Sequence, residues 1–143
     1  MSEPAGRSTV QVSTVRYRIC YEDTDAGGVV YYANYLRYME RGRNECLRDL
    51  GLSVRRFQDM GILFPVVEVN LKYHSPAFLE DDLVVESRIA KLGRGSVLFE
   101  QRILRDETGD LLVGGMVRVA CVDGTLRPRR LPEELEALRS QER

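Results

Sequence analysis

The stretch YEDTDAGGVVYY at residues 21–32 leads directly into the longest helical pattern of the chain. It places two aspartates, Asp23 and Asp25, ahead of a glycine pair, Gly27 and Gly28. The first amides of a helix have no partner within the helix, and the helix dipole there favours negative charge. Glycine lets the backbone approach a ligand closely or adopt a positive φ. The stretch is therefore a candidate active-site loop.

The helix that follows is predicted from near Ala33 to Gly51, where glycine supplies a C-terminal stop. Gly42 lies on its apolar stripe, where glycine costs roughly 1 kcal/mol relative to alanine and indicates close packing against a sheet. The other stripe residues recur at spacings of three and four and are Tyr35, Leu36, Met39, Cys46, Leu47 and Leu50. The charged residues on the remaining faces, expected in solvent, are Arg37, Glu40, Arg41, Glu45 and Arg48.

The rest of the chain predicts mainly strands. Apolar and polar side chains alternate at residues 15–21 and 67–73, and later segments are rich in β-branched residues. The predicted strands are residues 15–21, 67–73, 83–90, 97–104 and 111–122, with a short helix at 53–60 and a terminal helical turn or short helix on the surface at 131–139. This order predicts an α+β fold in which a long helix packs on an antiparallel sheet of about five strands.

Length and composition indicate an ordinary globular protein. The 143 residues fit one domain, 1–143, of which the polar residues 1–13 are expected to be a flexible terminus. A hydrophobic content of 43%, a charged content of 30% and a net charge of −1 give no general attraction to nucleic acid or to anionic membranes. With neither a signal-peptide pattern nor an apolar run of roughly 20 residues, the chain is expected in the cytoplasm without membrane insertion.

Cysteine and histidine usage narrows the chemistry. Cys20, Cys46 and Cys121 form no CxxC or zinc-like cluster, and are expected to be buried and unpaired. The single histidine, His74, precedes Ser-Pro at the predicted end of a strand, where a surface position is expected. No GxSxG or HExxH motif is present, so no metal site is predicted. Carboxylates remain as the plausible catalytic groups.

A single sheet covered by one helix leaves one face and two edges open. Open strand edges and apolar faces are covered in most native proteins, often by a second copy of the same chain. The sequence therefore predicts a dimer that joins or stacks the two sheets.

The run YEDTDAGGVVYYANYLRYMERGR at residues 21–43 resembles the loop and central helix of hotdog-fold acyl-CoA thioesterases, in the branch of 4-hydroxybenzoyl-CoA thioesterase and YbgC-like proteins. The resemblance implies a long helix wrapped by an antiparallel sheet, and dimers with one continuous sheet, often paired into tetramers. It also implies active sites at subunit interfaces, an acyl-CoA substrate and no cofactor other than the coenzyme A that the substrate carries.

The same resemblance implies roles for particular residues. Asp25 matches the catalytic carboxylate of the family, and Tyr32 matches the position whose backbone amide polarises the thioester carbonyl. Many YbgC-like members have histidine there, whereas the hydroxybenzoyl-CoA enzyme resembles this chain in having tyrosine. The family's coenzyme A phosphate contacts align with a basic turn between two strands, where the matching residues are Lys91, Arg94, Gly95 and Ser96.

Several assignments stay open at this point. Asp25 is expected to attack the thioester itself or to deprotonate a water, with Gly27 and Gly28 shaping the loop. Asp23 is expected to be an Asx-type turn residue that bonds its own backbone. The competing carboxylates are Glu40 and Glu45 on the helix and Glu68 on a strand.

Two other functions remain alternatives to hydrolysis of a short-chain or aromatic acyl-CoA. One is a non-catalytic module that binds acyl-CoA or an acyl carrier protein, against which the retained loop residues argue. The other is a hydratase or dehydratase on the same fold, which requires a histidine beside its carboxylate. His74 is poorly placed for that role.

Overall fold

The computed structural model describes residues 11–141 and contains the predicted α+β arrangement of five strands. Most of the predicted flexible terminus, residues 1–10, lies outside the described residues, whereas Ser13 already belongs to the first strand. The elements are β1 (Ser13–Arg18), α1 (Asn34–Asp49), α2 (Val54–Asp59), β2 (Val66–Tyr73), β3 (Asp82–Leu92), β4 (Ser96–Arg105), β5 (Leu111–Ala120) and α3 (Glu133–Glu136), with 3-10 turns at Tyr21–Asp23 and Ala137–Gln141.

All five strands form one antiparallel sheet in the order β1-β3-β4-β5-β2. Helix α1 packs across β1, β3 and the near side of β4, so the inner face of β2 is left largely uncovered. Strand β2 forms one edge of the sheet, and Val66, Val67 and Val69 on it are all exposed. The predicted open edge is therefore present and apolar.

Helix α1 buries most of the predicted stripe. Gly42 lies so close to the sheet that a Cβ atom there would be 2.5 Å from Ser87 Oγ and 2.9 Å from Val85 Cγ1, which confirms the predicted close packing. Leu36 was wrongly assigned to the buried stripe and is 42% exposed, because the helix does not extend over β5 and β2. Tyr38 is fully buried instead.

A buried polar network fixes the middle of α1 to the sheet. Gln101 on β4 donates from Nε2 to the Met39 carbonyl at 2.8 Å and to Ser87 Oγ at 2.7 Å. Arg43 donates to Gln101 Oε1 at 3.1 Å, and burial lowers the pKa of its guanidinium. Buried polar groups of this kind are costly unless they are paired, so the network holds the helix in one position on the sheet.

The hydrophobic core has two parts, one at each end of the sheet. One part lies beside the loop that precedes α1, and the other surrounds the turn between β3 and β4. Leu131, Leu135 and Leu138 are buried in the second part, so the prediction of a purely surface location for the terminal helix was wrong. No helix in residues 11–141 is long and apolar enough to cross a membrane.

Cysteine and histidine positions follow the predictions with one exception. Cys46 and Cys121 are buried, and burial raises the pKa of Cys46 to about 11. Cys20 is exposed, contrary to the prediction, because β1 ends at Arg18 and the chain turns outward there. His74 is exposed directly after β2, as predicted.

Candidate active site

Backbone hydrogen bonds close the loop before α1 into a compact hairpin. Asp25 N–H donates to the Val29 carbonyl at 2.9 Å, and Gly28 N–H donates back to the Asp25 carbonyl at 3.0 Å. Gly28 has a φ of +83°, which a residue with a side chain adopts only with strain. The Asp23 carbonyl accepts from Tyr31 N–H at 3.0 Å and so brings the loop back to the start of the helix. The glycine is thus needed for the turn itself.

Asp23 points into the protein and is 1% exposed. Its Oδ2 accepts from Cys20 N–H at 2.7 Å, and its Oδ1 accepts from the Tyr17 hydroxyl at 3.3 Å. Burial, followed by the Asp23 carboxylate, raises the pKa of Tyr17. Burial, followed by the Asp23 carboxylate, also raises the pKa of Tyr38, whose hydroxyl is buried. Asp23 therefore belongs to the internal support of the loop.

Asp25 points outward and is exposed. Its Oδ1 accepts from Gly27 N–H at 2.8 Å, which is the Asx-type bond that the sequence predicted for Asp23. Asp23 has the structural role predicted for it but in another kind of turn, because it ends a 3-10 turn and caps it by bonding back to the Cys20 amide. The bond leaves Oδ2 of Asp25 open to solvent, at the tip of a loop whose backbone is fixed.

Tyr32 lies at the entrance to α1, two residues before its first helical position. The residue is 62% exposed. Its carbonyl accepts from Tyr35 N–H at 3.4 Å, but its own N–H donates to no acceptor among the described residues. An unpaired amide at the start of a helix of 16 residues is a suitable donor for a developing negative charge.

Six of the seven tyrosines form one continuous series of ring contacts that begins at the loop and ends in the core. The series runs through Tyr31, Tyr32, Tyr73, Tyr35, Tyr38 and Tyr17, with ring centroids 4.4 to 6.4 Å apart. Tyr35 also anchors the loop, since its hydroxyl accepts from Ala77 N–H at 3.1 Å while Val30 N–H donates to the Ala77 carbonyl at 2.9 Å. Burial raises the pKa of Tyr35.

The contribution of Tyr73 to this series was missed at the level of sequence. Tyr73 was recognised as an apolar-face residue of a strand, but contact with Tyr32 and Tyr35 depends on where the end of β2 lies against the start of α1. No local pattern specifies that distance.

An apolar groove runs between α1 and the uncovered inner face of β2. Leu36, Glu40 and Arg43 line it on the helix, and Val66 and Val69 line it on the strand. It consists of two adjoining cavities of about 280 Å³ each. The groove begins one helical turn beyond Tyr32 and is open to solvent in the single chain.

The competing carboxylates have other surroundings. Glu68 is on the outer face of β2 and pairs with Arg118 at 3.2 Å, so it does not point toward the loop. Glu40 is exposed on α1 and lines the groove, whereas Glu45 is half-buried one turn further along. Neither helix carboxylate shares the loop with Asp25.

The residues predicted to bind coenzyme A lie far from the loop in the same chain. Lys91 and Arg94 are exposed at the turn between β3 and β4, together with the partly buried Gly95 and Ser96. The loop lies where β3 begins, since Ile19 N–H donates to the Asp81 carbonyl at 2.9 Å. The 11 residues of β3 separate the two places by about 30 Å at the usual rise of a strand. One chain therefore does not bring the two predicted groups together.

The fold and the loop define a hotdog-fold thioester hydrolase, and the comparisons with known proteins agree. A family model described as the thioesterase-like superfamily matches residues 20–138. Acyl-CoA thioesterase YbgC of Haemophilus influenzae is 40% identical over 122 residues, which cover 84% of this chain and 88% of that protein. The chain belongs to the thioesterase-like superfamily, in its YbgC-like branch.

Solved structures support the same conclusion. A probable thioesterase from Bartonella henselae is 34% identical with a TM-score of 0.79, covering 85% of this chain and 99% of that chain. A variant of 4-hydroxybenzoyl-CoA thioesterase in complex with 4-hydroxybenzoyl-CoA has a TM-score of 0.81 at 23% identity, covering 90% of this chain and 98% of that chain, and so shows the same fold. The predicted family, fold and enzyme class are thereby confirmed.

Proposed function

We propose that the chain hydrolyses acyl-CoA thioesters with Asp25 as the catalytic carboxylate and the Tyr32 amide as the oxyanion donor. One observation carries this assignment: the same loop presents two open groups. One is the exposed Asp25 carboxylate, which Gly27 N–H holds by one oxygen, and the other is the Tyr32 N–H at the start of α1, which has no acceptor among the described residues. Of the two aspartates in this loop, Asp23 is buried and already hydrogen-bonded, so Asp25 is the one available to a substrate.

The proposed reaction follows from the charge that develops on the thioester. Attack by an oxygen nucleophile places negative charge on the carbonyl oxygen, where the Tyr32 N–H stabilises it. The carbon–sulfur bond then breaks, and coenzyme A leaves as a thiolate that takes up the proton given up by the hydrolytic water. Asp25 either attacks the carbonyl and forms an anhydride that water hydrolyses, or accepts the proton of an attacking water. Both routes yield the free acid and coenzyme A, and neither requires a further cofactor.

The Tyr32 amide can be tested apart from the side chain. Tyr32→Pro removes the N–H, and Tyr32→Ala removes the same ring while keeping that donor. We expect the proline variant to be slower than the alanine variant by roughly 10²-fold in kcat, the usual cost of losing an oxyanion donor. Equal rates for two folded variants would remove the amide from the mechanism.

The groove between α1 and β2 is the proposed site for the acyl group. Valine and leucine line it together with the charged Arg37, Glu40 and Arg43, and it begins one helical turn beyond Tyr32. Each of its two cavities has a volume of about 280 Å³, which suits the aromatic or short aliphatic acyl groups considered from the sequence. The open side of the groove faces the edge where a second copy is expected.

The complete site is proposed to need two copies of the chain. Suppose that β2 pairs antiparallel with β2 of a partner. The two-fold axis then reverses the direction of every strand in the partner, so the partner's β3–β4 turn lies at the end of the joined sheet where Asp25 of the first chain lies. Lys91, Arg94, Gly95 and Ser96 of that copy would then contact the coenzyme phosphates. Two such dimers pair in the proposed tetramer.

The three unpaired cysteines support a reducing compartment, the cytoplasm.

Release of free thiol across a panel of acyl-CoAs tests the activity itself. The panel contains acetyl, hexanoyl, benzoyl and 4-hydroxybenzoyl thioesters, and turnover of at least one is expected. Tight binding of coenzyme A without thiol release from any of them would favour a binding module. Interconversion of an enoyl-CoA and a hydroxyacyl-CoA with the thioester intact would favour a hydratase.

Mixed oligomers test whether the site is shared. Protein with Asp25→Asn is unfolded and refolded together with protein carrying Arg94→Ala, and activity is measured at low substrate concentration. A shared site predicts more activity than the mean of the two parent variants, because each mixed dimer regains one intact site. Activity equal to that mean would place both groups in one chain.

A further inference from the structure

The two cavities of the groove meet at two charged side chains. The cavity nearer the loop lies beside Leu36 and Val69. The further cavity is lined mainly by apolar residues, among them Leu47, Phe64, Phe99 and Leu135. Glu40 and Arg43 line both cavities. An acyl chain that extends from the first cavity into the second therefore passes both charges.

Arg43 is held at this junction by the sheet. Its Nη1 donates to Gln101 Oε1 at 3.1 Å, and Gln101 is itself fixed to the Met39 carbonyl and to Ser87. A guanidinium has several N–H donors, and the Arg43 side chain forms no other hydrogen bond and no ion pair within residues 11–141. The charge therefore cannot leave the junction without breaking a bond to a buried amide.

Glu40 lies one helical turn before Arg43, and the two charges do not neutralise each other. Glu40 is exposed and forms no ion pair in the part of the chain that the structure describes. Burial lowers the pKa of the Arg43 guanidinium, and the nearby Glu40 carboxylate opposes that shift without cancelling it. Both groups thus depend on water in the groove. A hydrocarbon chain laid over them would displace that water and provide no hydrogen bond in return, which is costly.

We propose that Glu40 and Arg43 set the upper limit of acyl-chain length for this thioesterase. The inference rests on the proposed function and deepens it, since it gives two residues of the acyl site a selective role. Glu40 follows Ala33, the N-cap residue, by seven positions, which is about 10 Å along α1. An extended carbon chain with bonds of about 1.5 Å advances roughly 1.25 Å per bond, so the limit falls at roughly eight to ten carbons.

The apolar second cavity makes this limit removable by mutation. Once a charge at the junction is replaced by an apolar side chain, a long acyl chain gains free energy by burying its methylene groups in that cavity. Loss of either charge should therefore raise activity toward long chains relative to short ones. General damage to the fold would lower both activities together and leave their ratio unchanged.

A chain-length series tests the limit. kcat/KM for thiol release is measured with butanoyl-, hexanoyl-, benzoyl- and dodecanoyl-CoA, below the concentration at which dodecanoyl-CoA forms micelles. For the wild type, the best of the three smaller thioesters should exceed dodecanoyl-CoA by at least about tenfold. In Arg43→Met and in Glu40→Leu, the ratio of dodecanoyl-CoA to that best smaller thioester should rise by roughly tenfold to a hundredfold.

Two control variants separate the charge from its side effects. Arg48→Leu places an apolar residue at an exposed position of α1 outside the groove and should keep the wild-type ratio. Arg43→Lys keeps the charge and should keep the limit. The Glu40 side chain forms no ion pair in the described part of the chain, so Glu40→Leu serves where Arg43→Met does not fold.

The outcomes distinguish the length limit from the hydrolase assignment. A wild type that hydrolyses dodecanoyl-CoA as well as the smaller thioesters would overturn the limit, and so would an unchanged ratio in either folded variant. The hydrolase assignment would stand in both cases. Failure of the wild type to release thiol from any of the four thioesters would overturn both.

Discussion

Asp23 and Asp25 are two positions apart in the sequence, yet their surroundings are opposite. Asp23 is buried, bonded to the Cys20 amide and the Tyr17 hydroxyl, and holds the loop from inside. Asp25 is exposed, keeps one oxygen on Gly27 N–H and presents the other to solvent. The difference shows that the loop holds one aspartate inside for support and leaves the other open for the chemistry proposed for it, and that burial, rather than residue type, separates the two.

The largest expected effect is on turnover by Asp25→Asn. The variant keeps the shape of the side chain but loses the charge, so kcat should fall by roughly 10²- to 10⁴-fold if the carboxylate is a general base. Its thermal midpoint should stay near that of the wild type because the position is exposed. Thiol release measures the turnover and calorimetry measures the thermal midpoint. Glu45→Gln is the matched control, since it removes a carboxylate outside the loop. Near-normal turnover would remove Asp25 from the mechanism.

Asp23→Ala should act on stability first. Loss of the buried carboxylate leaves the Cys20 N–H without its acceptor, which costs about 1–3 kcal/mol of unfolding free energy. Urea denaturation measures this cost. Asp23→Asn is the matched control, since its side-chain oxygen can still accept from Cys20 and its amide can face Tyr17. If Asp23→Asn lowers kcat as much as Asp25→Asn does, the division between the two residues is wrong.

Tyr38→Phe tests the surroundings of the buried Asp23 through the pH dependence of the unfolding free energy. Burial and the Asp23 carboxylate raise the pKa of Tyr38 above its ordinary 10.0, so the folded state resists ionisation more than the unfolded chain does. That contribution to stability is complete below pH 10 and is lost as pH rises above it. The unfolding free energy of Tyr38→Phe should therefore fall less steeply than that of the wild type above pH 10. Parallel curves from urea denaturation at several pH values would contradict this.

The smallest effect is expected from Tyr32→Phe. The hydroxyl of Tyr32 is exposed and forms no hydrogen bond within residues 11–141, whereas its amide is the group assigned to catalysis. kcat should change by less than about fivefold. A larger change would require the hydroxyl to form an interaction that exists only in the transition state. A collapse in thiol release would show that the phenol takes part directly.

Much of the fold was readable from local patterns. Most of the stripe of α1 and its stop at Gly51 are present, and so is the short second helix, which Ser53 caps by accepting from Arg56 N–H at 3.2 Å. What failed depended on distant packing. Leu36 faces the part of the sheet that α1 does not cover, and the leucines after residue 130 are buried by a core that no local window contains.

The site was predictable in its parts but not in its arrangement. The family match selected Asp25 and Tyr32, and the structure gives both an open chemical group. The Asx-type bond is formed by Asp25 and not by Asp23. Asp23 ends a 3-10 turn, which no sequence pattern indicated, and its carboxylate bonds the Cys20 amide instead. The separation of Asp25 from Arg94 along β3 follows from strand order, which spacing in the sequence does not reveal.

The series of tyrosine rings gives the protein a built-in optical signal. The chain has no tryptophan, so its intrinsic ultraviolet emission comes from tyrosine, and six of the seven tyrosines belong to that series. Energy passes readily between rings this close, and the two rings nearest the loop, Tyr31 and Tyr32, are exposed. A molecule that settles beside them changes the emission of the whole series. Binding at the loop can therefore be followed without any label.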